Sequence, residues 1–459
     1  MYRLWYELYR DSLIKVKTAA GLSNERSSGE NVTQGSIGSA ILSSTNLDKT
    51  LSAYFAASDC EISYGNIRLS VLSFQDDTLR MVTSINAAQK GNIFMNTIMK
   101  RKQLSFNIEK CSVLAFEKKR KVGKIREAIN KEKRLTIGNQ TVVAKEKDDY
   151  MGDTIHEAGV IKSVKCTVDK RYRRIVSAIV EVSAILDDYR IDTIGGLSAG
   201  LEIFELALMP SLLYNSETWT KIDTETEEKL EKLQNNMFRS LFGVPRSTPK
   251  PILRSDLGQL SVREKIHVRK LTFLHHLKNL PKESLGSEFY NVQVQYKFPG
   301  LVNECRELIR FYQLPDLIDS TYSVSKNCWK KLVKKSVKEK SKDILKKEFS
   351  SYSKLKSHAF EDDDLCVKDY VKTMTLRNAR TLFRIRSHMA DFKMNFKSNE
   401  KYAKELWKCD YCMSVDSQAH IMWCPAFSSL REGKNLHCDK DLVSYIQEVM
   451  KIRLEESAL

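Results

Sequence analysis

Apolar residues recur at helical spacing along most of the chain and alternate with polar ones only in short runs toward its start. Leu4 to Ala20 reads as a short aromatic helix followed by an alternating strand, Leu13 to Thr18, with Ile14 and Val16 on one face and Lys15 and Lys17 on the other. Gly21 to Gln34 is a polar loop. Ile37 to Phe55 has helical spacing, with Ser36 as its cap and a break near Ser43 to Asn46. Ile67 to Phe74 alternates, Gln75-Asp76-Asp77 turns, and Thr78 to Val82 alternates again, which predicts a hairpin with two carboxylates at its turn. Asn92 to Leu104 then reads as helix and Ser112 to Phe116 as strand, so this first part is a small α+β layer.

From Asp148 to about Leu280 the pattern is helical, with amphipathic runs at Tyr172 to Tyr189 and Thr224 to Phe242. Gly195-Gly196 punctuates it, and Pro245, Pro249 and Pro251 predict a linker within it. A second helical block covers about Asn303 to Asn395. Inside it, Trp329 to Lys347 carries nine lysines against two acids, and Trp329, Leu332, Val333 and Leu345 supply an apolar stripe, which makes a helix with a basic face. Gly195 to Tyr214 is the most apolar stretch, but Glu202 and Glu205 near its middle exclude a lone membrane span. Arg3, Glu7, Arg10 and Asp11 interrupt the N-terminus before a signal-peptide core can form, so secretion is not expected.

Charge sharpens this picture. The 459 residues include 75 Lys and Arg against 58 Asp and Glu, a net +17, which favours a polyanionic partner such as nucleic acid. Between Lys100 and Arg134 there are 13 basic and 4 acidic residues. The compact run Lys118-Lys119-Arg120-Lys121-Val122 reads either as a solvated loop or as a nuclear-import or phosphate-contacting segment.

Six of the ten cysteines (Cys60, Cys111, Cys166, Cys305, Cys328 and Cys366) form no disulfide framework, which fits a reducing compartment. The other four are Cys409, Cys412, Cys424 and Cys438. Cys409-x2-Cys412-x7-His420-x3-Cys424 has metal-ligand spacing: a CxxC turn brings two thiolates to one ion, and a His and a Cys four apart share a helical face. Four protein ligands fill a tetrahedral Zn²⁺ sphere, so such a site holds a fold or grips nucleic acid and does not catalyse. His437 and Cys438 lie beyond the motif and are read as surface residues. Asp76 and Asp77 read either as exposed turn residues or as ligands holding Mg²⁺ against a nucleotide's phosphates.

Taken in order, these motifs resemble the reverse transcriptases of non-LTR (LINE-type) retrotransposons. Gln34-Gly35-Ser36 with Gly38 resembles the family's second palm motif, beside the incoming nucleotide and template base. Phe74-Gln75-Asp76-Asp77 resembles its metal-binding hairpin. Asn107 and Lys110, on Leu104 to Lys110, are similar to the next motif, whose lysine lies near the leaving pyrophosphate. Tyr150-Met151-Gly152-Asp153 is similar to the turn where palm meets thumb and the primer is gripped. Tyr214 to Trp219 and Leu233 to Arg239 resemble thumb segments, and the Cys-Cys-His-Cys cluster is similar to the family's terminal knuckle, with a last spacing one residue shorter.

The resemblance implies an α+β partial polymerase palm followed by a mostly α-helical thumb and a C-terminal region with a small zinc knuckle. It divides the chain into a partial palm (1–117), a basic linker (118–147), a helical thumb-like region (148–290), a basic helical connecting region (291–400) and the knuckle with a C-terminal helix (401–459). It implies Asp76, Asp77 and Lys110 as catalytic residues with Mg²⁺ on the two aspartates. Gln34, Gly35, Ser36 and Phe74 would contact nucleotide and template, Tyr150 and Gly152 the primer, and Cys409, Cys412, His420 and Cys424 would hold structural Zn²⁺. The implied partners are an RNA template, a DNA primer or target and dNTP, in a nuclear or cytoplasmic ribonucleoprotein and not a membrane. The family's upstream palm aspartate and its fingers have no match, since the carboxylates before Gln34 (Glu7, Asp11, Glu25 and Glu30) lack the expected strand context. The expectation is therefore a polymerase portion that is inactive alone; the alternatives are a non-catalytic RNA- or DNA-binding remnant and a product with no stable fold.

Overall fold

The computed structural model describes residues 13–15, 17–18, 21–27, 48, 51–52, 62–74, 77–102, 104–117, 123–188, 194–319, 322–352, 355, 365–396 and 407–457. The chain divides into two units, Met1–Gly159 and Val160–Leu459. The architecture is mixed α+β and predominantly helical, and among the described residues strands pair only in twos. The helix expected over Ile37 to Phe55 and the run Lys118 to Val122 lie almost wholly outside the described residues.

In the first unit, β1 (Leu13–Ile14) pairs with β4 (Arg26–Ser27) and β2 (Lys17–Thr18) with β3 (Gly21–Leu22). The single strand expected over Leu13 to Thr18 is thus two short ones. Leu13 is exposed, so no buried face fixes a longer register. β5 (Ile62–Tyr64) pairs with β6 (Ile67–Leu69), and β7 (Val71–Phe74) with β8 (Asp77–Arg80). Ser70, fully buried, splits the alternating run, and its carbonyl accepts from the Met81 N–H (2.8 Å). α1 (Ile85–Arg101) begins where the Ser84 hydroxyl accepts the Ala87 N–H (3.1 Å), about two turns before the expected start.

Residues 123–147, most of the expected linker, carry regular elements. After β9 (Ser112–Val113) come α2 (Lys124–Glu132), β10 (Thr136–Ile137), β11 (Gln140–Thr141) and β12 (Val143–Ala144), the last paired in parallel with β9. Lys124, Lys131, Lys133, Arg134 and Lys147 are exposed while Ile129, Leu135, Val142 and Ala144 are buried with Ala88 in a small core. The Asn130 amide holds both the N–H and the C=O of Ala144 (2.8 and 2.9 Å). β13 (Lys147–Tyr150) and β14 (Asp153–His156) form a hairpin, so the helical region starts at Val160 and not at Asp148.

The second unit is helical: α3 (Val160–Asp188), α4 (Gly196–Ile203), α5 (Met209–Leu212), α6 (Thr224–Phe242), α7 (Lys250–Asp256), α8 (Val262–Lys278), α9 (Leu285–Tyr296), α10 (Leu301–Phe311), α11 (Lys326–Ser351), α12 (Asp369–Thr373) and α13 (Leu376–Arg386). α14 (Gln418–Ile421), α15 (Ser428–Arg431) and α16 (Asp439–Ser457) follow. The main core joins α3, α4, α6, α7 and α13 through residues such as Val168, Phe204, Phe238 and Phe242, the last stacked on Phe383. Gly200 lets α4 approach α6, since a Cβ there would lie 2.6 Å from the Leu241 side chain. No helix among the described residues is long and apolar enough to cross a membrane, and Glu205 is paired with Lys265 (2.5 Å).

α6 has the bounds its apolar periodicity predicts. Asp223 caps its start (2.7 Å to the Thr226 N–H), and its C-terminal carbonyls, Leu241 and Gly243, accept from Arg380 (2.8 Å) and Arg384 (2.7 Å) of α13. Pro245 and Pro249 lie in the connection between α6 and α7, and Pro251 lies in the first turn of α7. A proline in that turn loses no hydrogen bond, and Ile252, Leu253 and Leu257 are fully buried.

A second core lies between α8, α10 and α11. On α11 every fourth residue is buried: Trp329, Val333, Val337, Ser341, Leu345 and Phe349. An i, i+4 row drifts about 40° per step around a helix, so the buried row turns as α11 passes from this core, which holds Trp329, Val333 and Val337, to the main one, which holds Phe349. Between them Ser341 donates to the Glu264 carboxylate (3.0 Å), which also pairs with Arg254 (3.0 Å); all three are buried.

Candidate metal centre and the resemblance residues

The CxxC segment is a tight reversal. The Cys409 N–H donates to Ser414 O (2.6 Å), the Met413 N–H to Cys409 O (2.9 Å), and Met413 takes a left-handed conformation (φ 63°). Lys408 and Val415 bridge below it. Ser417 then caps the one-turn helix α14 through the His420 N–H (3.1 Å), which sets the imidazole over the turn, and the Trp423 N–H closes onto His420 O (2.9 Å) before Cys424.

The result is that the ligand atoms of Cys409, Cys412, His420 and Cys424 all lie within 4.8 Å of one another. Cys412 Sγ is 3.2 Å from His420 Nε2 and 3.7 Å from Cys424 Sγ. Tetrahedral Zn²⁺ at ordinary bond lengths places its sulfurs about 3.8 Å apart and a sulfur and nitrogen about 3.6 Å apart, so the arrangement fits one ion. Cys409 and Cys424 are buried, and Cys412 and His420 half-buried. The Ser414 N–H directed at its sulfur lowers the Cys412 thiol, whereas burial pushes the Cys424 thiol up to about 11. A bound cation supplies the charge that makes such a thiol a thiolate. His437 and Cys438 are exposed.

Around the four side chains, Ile385, Phe392, Ile421, Phe427, Tyr445, Ile446 and Val449 make a small core. The Tyr445 hydroxyl donates to Ile421 O (2.6 Å) and Arg431 to Cys424 O (2.8 Å). Asp416, fully buried, accepts a two-point bond from Arg453 of α16 (3.0 and 2.8 Å), and its main-chain N–H holds Trp407 O (2.7 Å). This pair clamps the ligand-bearing turn. No local signal marks Asp416 or Arg453, because the partners are far apart in sequence. Trp423, beside Cys424, is 77% exposed.

Of the polymerase-like residues, Gln34, Gly35, Ser36, Gln75 and Asp76 lie outside the described residues. Phe74 and Asp77 are both exposed and are register partners at the end of the β7–β8 pairing. Tyr150 and Asp153 close the β13–β14 hairpin, with Met151 (φ 52°) and Gly152 (φ 82°) both left-handed, the conformation for which glycine is selected in such a turn. The Tyr150 hydroxyl is pushed up by burial and then by the negative charge of Asp77, so the two hairpins bring Asp77 and Tyr150 into one neighbourhood. Lys110 is exposed at the end of a single 3₁₀ turn, Ile108–Lys110. Among the described residues Asp77 joins no cluster of three metal-ligating side chains, and the cysteine site is the one such cluster. Comparison with protein-family models and with curated proteins returns no match for the chain.

Proposed function

We propose that the chain is the C-terminal portion of an RNA-directed DNA polymerase of the non-LTR retrotransposon class, retaining nucleic-acid binding and lacking polymerisation by itself. The observation that supports the reading is that the negative charge of Asp77 reaches the Tyr150 hydroxyl, a tie between two motifs distant in sequence that the resemblance gives to the metal-binding hairpin and the primer-gripping turn. In this reading Asp76 and Asp77 are remnants of a Mg²⁺ site, Phe74 and the Gln34-Gly35-Ser36 loop face nucleotide and template, Lys110 faces the triphosphate, and Tyr150 and Gly152 grip the primer. With no residue matching the family's upstream aspartate, a loss of several kcal/mol of transition-state stabilisation silences the chemistry, at about tenfold per 1.4 kcal/mol.

The test is primer extension with Mg²⁺ on a primed RNA template, comparing the chain with an Asp76→Ala, Asp77→Ala double variant. The expected result is no incorporation by either protein and salt-sensitive template binding by both. Incorporation that the double variant abolishes overturns the claim of inactivity, and absence of template binding overturns the reading as a whole.

A second reading, an RNA- or DNA-binding module with no polymerase ancestry in its action, is favoured by Trp423. An indole this exposed beside a closed metal site offers a face on which an unpaired base can stack. Loss of binding in Trp423→Ala with binding intact in the double aspartate variant would favour it.

A further inference from the structure

The rows of α11 differ in a way that a merely solvated helix does not explain. Next to the buried row, Lys326, Lys330, Lys334, Lys338, Lys342 and Lys346 occupy every fourth position without a break. Lys326, Lys330, Lys334 and Lys346 are exposed, and Lys338 and Lys342 half-exposed. The outermost row, Lys331, Lys335, Glu339, Asp343 and Lys347, instead mixes signs, with Lys335 and Glu339 within 4.0 Å. Mixed signs are what solubility requires of a helix face. An unbroken lysine row places like charges at i, i+4 along its whole length, a repulsive arrangement. Because this row drifts around the helix at the same rate as the buried row, it keeps to one flank of α11 relative to the protein body.

We propose that this lysine row is a track for one strand of a nucleic-acid backbone. It spans about 30 Å at about 6 Å per step, the axial length of roughly nine phosphates on one strand of a duplex. The periodic anion it fits is a phosphate backbone. A bilayer surface fits less well, because the apolar row of α11 is buried in the protein's own cores and leaves no apolar face to insert beside the lysines. The inference rests on the nucleic-acid-binding reading above and adds where the backbone lies.

The experiment uses the full chain and an RNA–DNA hybrid duplex of about 20 base pairs as probe. Affinity is measured against KCl for the wild type, for the six-lysine row changed to glutamine, and for a charge-matched control with Lys232, Lys250, Lys282, Lys297, Lys372 and Lys440 changed to glutamine. Six lost phosphate contacts shrink the log–log salt slope by about 5, while the control leaves it nearly unchanged. The half-row variant Lys326→Gln, Lys330→Gln, Lys334→Gln, changed only where α11 is exposed, is expected to shrink it by about half as much and serves if the six-fold variant fails to fold. Equal slopes for row and control variants overturn the track while leaving nucleic-acid binding standing; no binding by the wild type overturns both. If the row variant instead loses adhesion to phosphatidylserine vesicles and keeps the wild-type duplex slope, the row addresses a membrane surface and the proposal fails.

Discussion

The helical core and the cysteine module of the second unit answer the same problem, ordering a chain, by different means. Among the described residues the main core gathers 33 buried apolar side chains from ten helices and the segments between them. The module's core gathers ten, of which two are the ligands Cys409 and Cys424. The first can be held by burial alone. The second gathers too few apolar groups for that, and its geometry is completed by four convergent ligand atoms and one buried ion pair. Size of core therefore separates a region that packing alone can hold from one whose four ligand atoms could add an ion to the packing.

The largest expected effect breaks the first of these and spares the second. Glu264→Ala strands the Arg254 guanidinium and the Ser341 hydroxyl in the interior, and removing one partner of a buried pair costs about 3–5 kcal/mol. Denaturant unfolding of the full chain should show that loss with the metal content unchanged; a loss below about 1 kcal/mol would show that the site relaxes to water. Cys412→Ser reverses the pattern. Metal content, read by mass spectrometry of the elements, should fall from about one zinc per chain to near none, protease sensitivity should rise only over residues 407–457, and the helical core should unfold as before. A wild-type zinc content in that variant would remove the ligand assignment.

The smallest effect concerns pH and the core alone. His267 is held neutral down to about 3 by burial, with Arg263 and Lys270 adding to it, and its Nδ1 meets the Tyr312 hydroxyl at 2.8 Å. The unfolded chain protonates this histidine near pH 6.5 and the folded one does not, so the unfolded state binds more protons between those values. Stability is then full above about 6.5 and falls toward 3, by up to about 1.4 kcal/mol per pH unit. His267→Gln should flatten acid unfolding by about one proton while zinc content at neutral pH stays constant; an unaltered slope would mean that water reaches the ring in the native state.

How much of this was legible depended on whether the signal was local. The spacing of Cys409, Cys412, His420 and Cys424 announced the cluster because three of the four ligands are placed by turns within a dozen residues. α6 was legible to its ends, since Asp223 and Gly243 mark the termini chemically as well as by period. The elements of residues 123–147 were not legible because charge density reports the surface, and four buried residues, Ile129, Leu135, Val142 and Ala144, suffice for a core that is invisible beneath it. The prolines were legible as the break between α6 and α7, although Pro251 sits inside α7, where a first-turn proline loses no hydrogen bond. Ser341 and Asp416 were illegible in principle: each is a polar group whose burial is made acceptable by an arginine or glutamate brought from elsewhere by the fold.

The clamp between Asp416 and Arg453 ties two events together. If the docked C-terminal helix favours the ligand-bearing turn, then ion binding favours the docked helix by the same free energy, whatever its size. The last two turns of α16 are thereby a lever on the ion's affinity: a partner that seizes α16 would loosen the metal, and loss of the metal would release α16 to a partner.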